Sequence, residues 1–155
     1  MLRKGPEQVP DSWLVFLFAL VLMQFASFVA ATLINLGENY SHLLTFITHM
    51  LGLGIYAAIL LVSGFINRIV PVLSAIISCG AILTLLFVAA YVMLSPFLGS
   101  DIAVIVATLI IIWSVPVEGH IIARGIERHW YIGIVVAMIV FTLQYAFQSA
   151  MTGRL

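Results

Sequence analysis

Five stretches of this chain run for about twenty residues each with almost no charge, and no water-soluble fold has a place for five of them. They are Trp13 to Ile34, about Leu43 to Phe65, Ile69 to Leu94, Ile102 to about Ile122, and about Trp130 to Ala150. A helix needs roughly 20 apolar residues to cross the hydrocarbon core of a bilayer, and each run supplies them. In lipid every backbone N–H and C=O must find its partner within the protein, so a long apolar run means a helix. The runs lack period-two alternation, which argues against strands. The expected fold is all-α, a polytopic membrane bundle of about five transmembrane helices forming one domain over residues 1–155.

Composition agrees. A soluble domain is roughly half apolar and a quarter charged, whereas this chain is 64% hydrophobic and 8% charged. The spans use most of the 155 residues, leaving short termini and four brief loops. Action is therefore expected inside the bilayer, at its surfaces or through partners. The formal net charge is zero, and no basic patch points to nucleic acid. The single cysteine, Cys79, lies mid-span and reads as a small packing residue. Arg3 and Lys4 precede a run of 22 residues. A cleaved signal has an apolar core of only about 7–15, so a retained signal-anchor is expected.

Local punctuation divides the runs. Asn35 to Ser41 is rich in turn residues. Asn67-Arg68 ends the second run, and Pro71 suits the first turn of the next helix, where its missing N–H is not required. Ser95 to Asp101 reads as a turn, with Ser100 as N-cap and Asp101 complementing the helix dipole. Residues 118–131 are amphipathic and charged, and read either as a loop or as a short interfacial helix. This layout puts Arg3, Lys4, Arg68, Arg124 and Arg128 on one side and Arg154 on the other. The positive-inside rule then predicts an N-in/C-out orientation.

Polar residues within spans are costly and therefore informative. In the second run His42, Thr45, His49, Gly52, Tyr56 and Ser63 recur at helical spacing and share one face. The first run offers Gln24, Ser27, Ala31 and Asn35 on one face. An antiparallel pairing brings Ser27 to about the depth of His49, so the first two helices are expected to touch through their polar faces. Packing is the plain reading of such a stripe. A proton relay, a ligand site or a metal site are the functional alternatives. A metal site is disfavoured: His42 and His49 are two turns apart, about 10 Å, and His120 and His129 lie towards the opposite side.

A second group follows Trp113 and Pro116: Glu118, His120, Arg124, Glu127 and Arg128. Glu118 stands near the end of the fourth run and needs a partner or water, with Arg124 and Arg128 as the expected partners. The corner reads as a charge network fixing the helix end, or as a cytoplasmic contact site for a protein or an anionic headgroup. Ser74, Ser78 and Ala81 of the third run, and Gly133 and Ala137 of the fifth, form small packing faces, and Gln144 and Gln148 follow on the fifth. The chain holds no Gly-x-Ser-x-Gly elbow, Cys-x-x-Cys pair, His-Glu-x-x-His motif or phosphate loop.

From Trp113 to Phe147, a tryptophan, then Gly119-His120-Ile121, a short charged link and an apolar helix resemble small uncharacterised bacterial inner-membrane proteins. The five-helix, N-in/C-out layout is similar to the Yip1-like family, whose eukaryotic members act in membrane trafficking. The first resemblance implies a bacterial inner-membrane location, and neither carries a site residue. The leading expectation is a non-enzymatic membrane scaffold or accessory subunit, acting by helix packing and through a cytoplasmic 118–131 segment. The alternative is a small transporter or channel subunit with His49 and Glu118 as polar waypoints. An intramembrane enzyme acting on lipid is a third idea. No cofactor is expected. The expected partners are membrane lipid and a protein partner or further copies of the chain.

Overall fold

Each apolar run becomes one helix. The structure, a computed structural model, describes residues 12–34 and 41–153. Arg3, Lys4, Asn35, Glu38, Tyr40 and Arg154, which entered the sequence reading, lie outside the described residues. The elements are α1 (Trp13–Leu33), α2 (His42–Val62), a 3-10 turn (Ile66–Arg68), α3 (Ile69–Leu98), α4 (Ser100–Gly125) and α5 (Trp130–Met151). All five α-helices are long and apolar enough to cross a membrane.

The helix ends follow local chemistry, with two departures from the sequence reading. Ser41 caps α2 by accepting from the Leu44 N–H at 3.3 Å. Ser95-Pro96 does not form a turn, because α3 runs through Pro96 to Leu98. So near the helix end a proline forfeits little, and the Gly99 N–H still reaches the Ser95 carbonyl at 3.1 Å. The break falls on Gly99, at φ 80° and ψ 159°, a conformation that side-chain-bearing residues rarely adopt. Gly99 therefore holds the N-cap position, and Ser100 is already helical. Secondly, Glu118 to Gly125 is neither loop nor interfacial helix. It is the continuation of α4 past Pro116, and only residues 126–129 link α4 to α5.

Two helices end in the same way with different residues. After α2, Gly64 takes φ +84°, and the Phe65 N–H bonds back to the Leu60 carbonyl at 2.9 Å. After α4, the Arg128 N–H bonds back to the Ala123 carbonyl at 2.9 Å, but the left-handed position is Glu127 at φ +53°. A left-handed residue with a Cβ costs roughly 1–2 kcal/mol. The Glu127 side chain offsets part of this by pairing with Arg68 at 2.6 Å, an exposed bridge worth about 0–1 kcal/mol. Glu127→Gly should therefore unfold at a higher temperature than Glu127→Ala, since alanine loses the bridge and keeps the strain. Equal melting temperatures for the two variants in detergent would refute this account.

Arg68 also donates to the Gly125 carbonyl at 3.4 Å and lies over the Phe65 ring, 4.9 Å from its centroid. It fastens the α2–α3 turn to the α4–α5 link, so both lie at one end of the bundle. Just inside that end is the dry core, built from Leu60, Val72, Ile76, Ile122, Ile126 and Val140. Gly125 packs there without a side chain, because a Cβ would come within 2.9 Å of Val72.

Packing order departs from chain order. α3 lies against both α1 and α4, α4 against α5, and α2 leans mainly on α5. The expected pairing of α1 with α2 is confined to a slight contact. Large apolar residues remain uncovered at helical spacing, including Leu14, Phe18 and Val21 on α1 and Ile105, Leu109 and Ile112 on α4, all at least 60% exposed. A water-soluble monomer does not carry contiguous apolar faces of this extent.

Candidate functional site

The weak contact between α1 and α2 leaves a gap, and a half-open cavity lies there. Its volume is about 290 Å³, and it draws residues from all five helices. α1 contributes Met23 and Gln24, α2 contributes His49, Gly52 and Tyr56, and α3 contributes Gly80, Thr84 and Phe87. Ser114 and Glu118 come from α4, and Phe141 and Gln144 from α5. The α2 residues share a face because their spacing of three and four follows the helical turn.

Two glycine contacts set the walls. Gly119 of α4 and Gly133 of α5 bring their backbones together. A Cβ on Gly119 would lie 2.7 Å from the Ile134 Cα, and one on Gly133 would overlap the Gly119 carbonyl oxygen. This contact holds Glu118, the neighbour of Gly119, at a fixed place beside the cavity. Across it, Gly52 makes room for the Gln144 amide, whose Cδ would be 2.7 Å from a Cβ there. That amide donates to the Thr48 carbonyl at 3.0 Å and joins α5 to α2.

Glu118 is the centre of the site. Its Oε2 accepts a hydrogen bond from the Tyr56 hydroxyl at 2.9 Å. The expected partners were Arg124 and Arg128, and helix geometry explains why they are not. Arg124 is six residues on along the same helix, about 240° around it and 9 Å further along. Arg128 lies beyond the end of α4. Glu118 therefore leaves the charged corner and joins the polar stripe of α2. Its half of the corner is taken over by the bridge between Glu127 and Arg68.

The other sequence-predicted residues divide between cavity and surface. Gln24, His49 and Tyr56 line the cavity. The Gln24 Nε2 and His49 Nδ1 atoms are buried and have no hydrogen-bond partner among the described residues. Ser27 is buried but does not line the cavity. His42 stacks on Phe28, with ring centroids 5.6 Å apart, at the end where α1 and α2 do meet. The Thr45 hydroxyl donates to the Ser41 carbonyl at 3.1 Å. His120, Arg124 and Arg128 are exposed near the Arg68 end.

Thr84 and Ser114 were missed, and Gln144 was read only as part of a packing helix. The first two hide their hydroxyls by donating to Gly80 and Ile111 carbonyls of their own helices, at 2.9 and 2.7 Å. Such local bonding gives a threonine or serine no distinctive sequence signal. Gln144, an amide within an apolar run, did carry one.

Chemically the cavity offers one carboxylate, a phenol, an imidazole and two amides within a wall of Leu, Met, Ile and Phe side chains. Among the described residues, no three His, Cys, Asp or Glu side chains are grouped to hold a metal ion. Significant similarity to this chain was found neither among protein-family models nor among curated proteins or solved structures.

Proposed function

We propose that the chain is an integral membrane protein, in the N-in/C-out orientation of a bacterial inner membrane, that acts without catalysis as a small transporter or channel subunit. The observation that carries this reading is the position of Glu118. It is a carboxylate well inside a helix, hydrogen-bonded to Tyr56 and facing a cavity. Ionisable groups at such depth mark solute or proton paths more often than they serve packing. His49 and Tyr56 are seven residues apart on α2, about 10 Å. With Glu118 at the depth of Tyr56, the polar groups extend over the middle third of a helix about 30 Å long. The open Gln24 and His49 atoms favour an occupant as well, since buried polar atoms are costly unless water or a ligand satisfies them.

The decisive experiment is flux. Liposomes containing the purified protein should dissipate an imposed proton gradient faster than empty ones, and Glu118→Gln should cut the excess rate by about tenfold or more. His49→Ala should also slow it. An excess rate that both substitutions leave unchanged would sink the reading. The orientation has its own check. Reporter fusions after Ser41, Arg68, Gly99 and Arg128 should read out, in, out and in, and a cytoplasmic signal after Ser41 would reverse it.

A scaffold or accessory-subunit role is the second reading, and one observation favours it. His120, Arg124 and Arg128 are all exposed at the same end of the bundle. If that corner docks a protein partner, alanine at those three positions should abolish co-purification of the partner, while His49→Ala should not.

A further inference from the structure

The chemistry of the cavity narrows its occupant. A carboxylate in an apolar cavity is tolerated only with a counter-charge, which a proton or a cation can supply. No Lys or Arg lines this one. Of the described basic residues, Arg68 is bound to Glu127, and Arg124 and Arg128 are exposed at the surface. The titratable groups that line the cavity with Glu118 are Tyr56, which bonds it, and His49, both from α2, with the Cys79 thiol of α3 within electrostatic reach. Gln24 of α1 and Gln144 of α5 are neutral.

A metal cation is poorly served. Hard cations take six or more oxygen ligands at short range; the cavity supplies only one carboxylate, and among the described residues no three His, Cys, Asp or Glu side chains are grouped to hold an ion. An organic cation is well served. The rings of Tyr56, Phe87 and Phe141 all line the cavity, and aromatic faces attract cations that have shed their water. A volume of about 290 Å³ lies at the lower limit for ligand pockets, which suits one aromatic ring with a small ammonium group.

We propose that the cavity is a binding site for a small lipophilic organic monocation, its charge held by Glu118 and its apolar part by Phe87, Phe141 and Met23. This deepens the transporter reading and rests on the same cavity. Cation and proton then compete for one carboxylate, a means of coupling their movements.

The test uses the full chain in nanodiscs and equilibrium dialysis, with empty nanodiscs subtracted. The probes are benzyltrimethylammonium, the neutral N,N-dimethylbenzamide of similar size, and the anion phenylacetate. Wild type should bind the ammonium about tenfold or more tighter than the amide. In Glu118→Gln that preference should fall to within about twofold while amide binding persists, which shows the cavity intact. Ser114→Lys gives a second route. Its ammonium, one turn from Glu118 on the same face, would supply the counter-charge internally and should displace the probe cation. Retained cation binding in Ser114→Lys, equal affinity for ammonium and amide in wild type, or a preference for phenylacetate would each overturn the proposal. Amide binding without cation preference would refute the cation assignment and leave the cavity reading standing. No binding of any probe would overturn both.

Discussion

Gly133→Val is expected to prevent recovery of the folded bundle, or to destabilise it by about 3 kcal/mol or more, the upper range for overpacking a tight contact. The reason is what the added carbons would meet. The first of them would overlap the Gly119 carbonyl oxygen and come within 2.6 Å of the Ala123 methyl. A backbone carbonyl has no rotamer by which to yield, so α4 and α5 must separate. Separation would withdraw Glu118 of α4 from Tyr56 of α2, because α2 leans mainly on α5 and is tied to it by Gln144 and Thr48. Gly52→Ala is the informative contrast. Its added carbon meets the far end of the Gln144 side chain, which can swing aside. It should cost about 1 kcal/mol or less, near the net worth of the one hydrogen bond displaced. Thermal unfolding followed by circular dichroism in detergent measures both. A Gly133→Val protein that melts within a few degrees of wild type would show that the close approach of α4 and α5 does not hold.

The second large effect is expected at Tyr56. Tyr56→Phe removes the only hydrogen bond made by the Glu118 side chain among the described residues, and leaves its carboxylate in an apolar setting. Stranding a buried polar partner costs about 1–3 kcal/mol, and more if the group is charged. Removing both partners is different. Replacing a buried polar pair by apolar side chains of similar size is often nearly neutral, because neither group is then left unsatisfied. The double variant Tyr56→Phe with Glu118→Leu should therefore be more stable than Tyr56→Phe alone. A double-mutant cycle measured by reversible unfolding in mixed micelles gives the coupling directly, expected at about 0.5–3 kcal/mol. Simple additivity of the two single changes would mean that the pair does not interact. The same double variant should show no proton flux, so stability and function part company at this site.

Much of the α2 face was legible before any tertiary structure. Gly52 and Tyr56 are buried and His49 is half-buried because residues three and four apart share a helical face, a property of one helix alone. The expectation for Gly133 and Ala137 as a packing face of α5 agrees with their burial. Glu118 was misassigned for an equally physical reason. Proximity in sequence to Arg124 and Arg128 suggested a partner, whereas rotation along α4 carries those arginines away and α2, 62 residues distant at Tyr56, supplies the partner instead. Pro96 and Gly99 compete to end α3, and the proline lost because it falls where few helical hydrogen bonds remain to break.

Taken by itself, the sequence determined the number, kind and approximate limits of the helices. That is so because apolar length, helical periodicity and capping chemistry are local, and each acts within about two turns. Only the tertiary structure decided that α1 packs mainly on α3 and only slightly on α2. It also decided that the space so left becomes a cavity, and that Glu118 belongs to that cavity. These outcomes depend on which small residues let two backbones meet, as Gly119 and Gly133 do. Many apolar faces of a membrane helix could serve as partners, and local sequence does not choose among them.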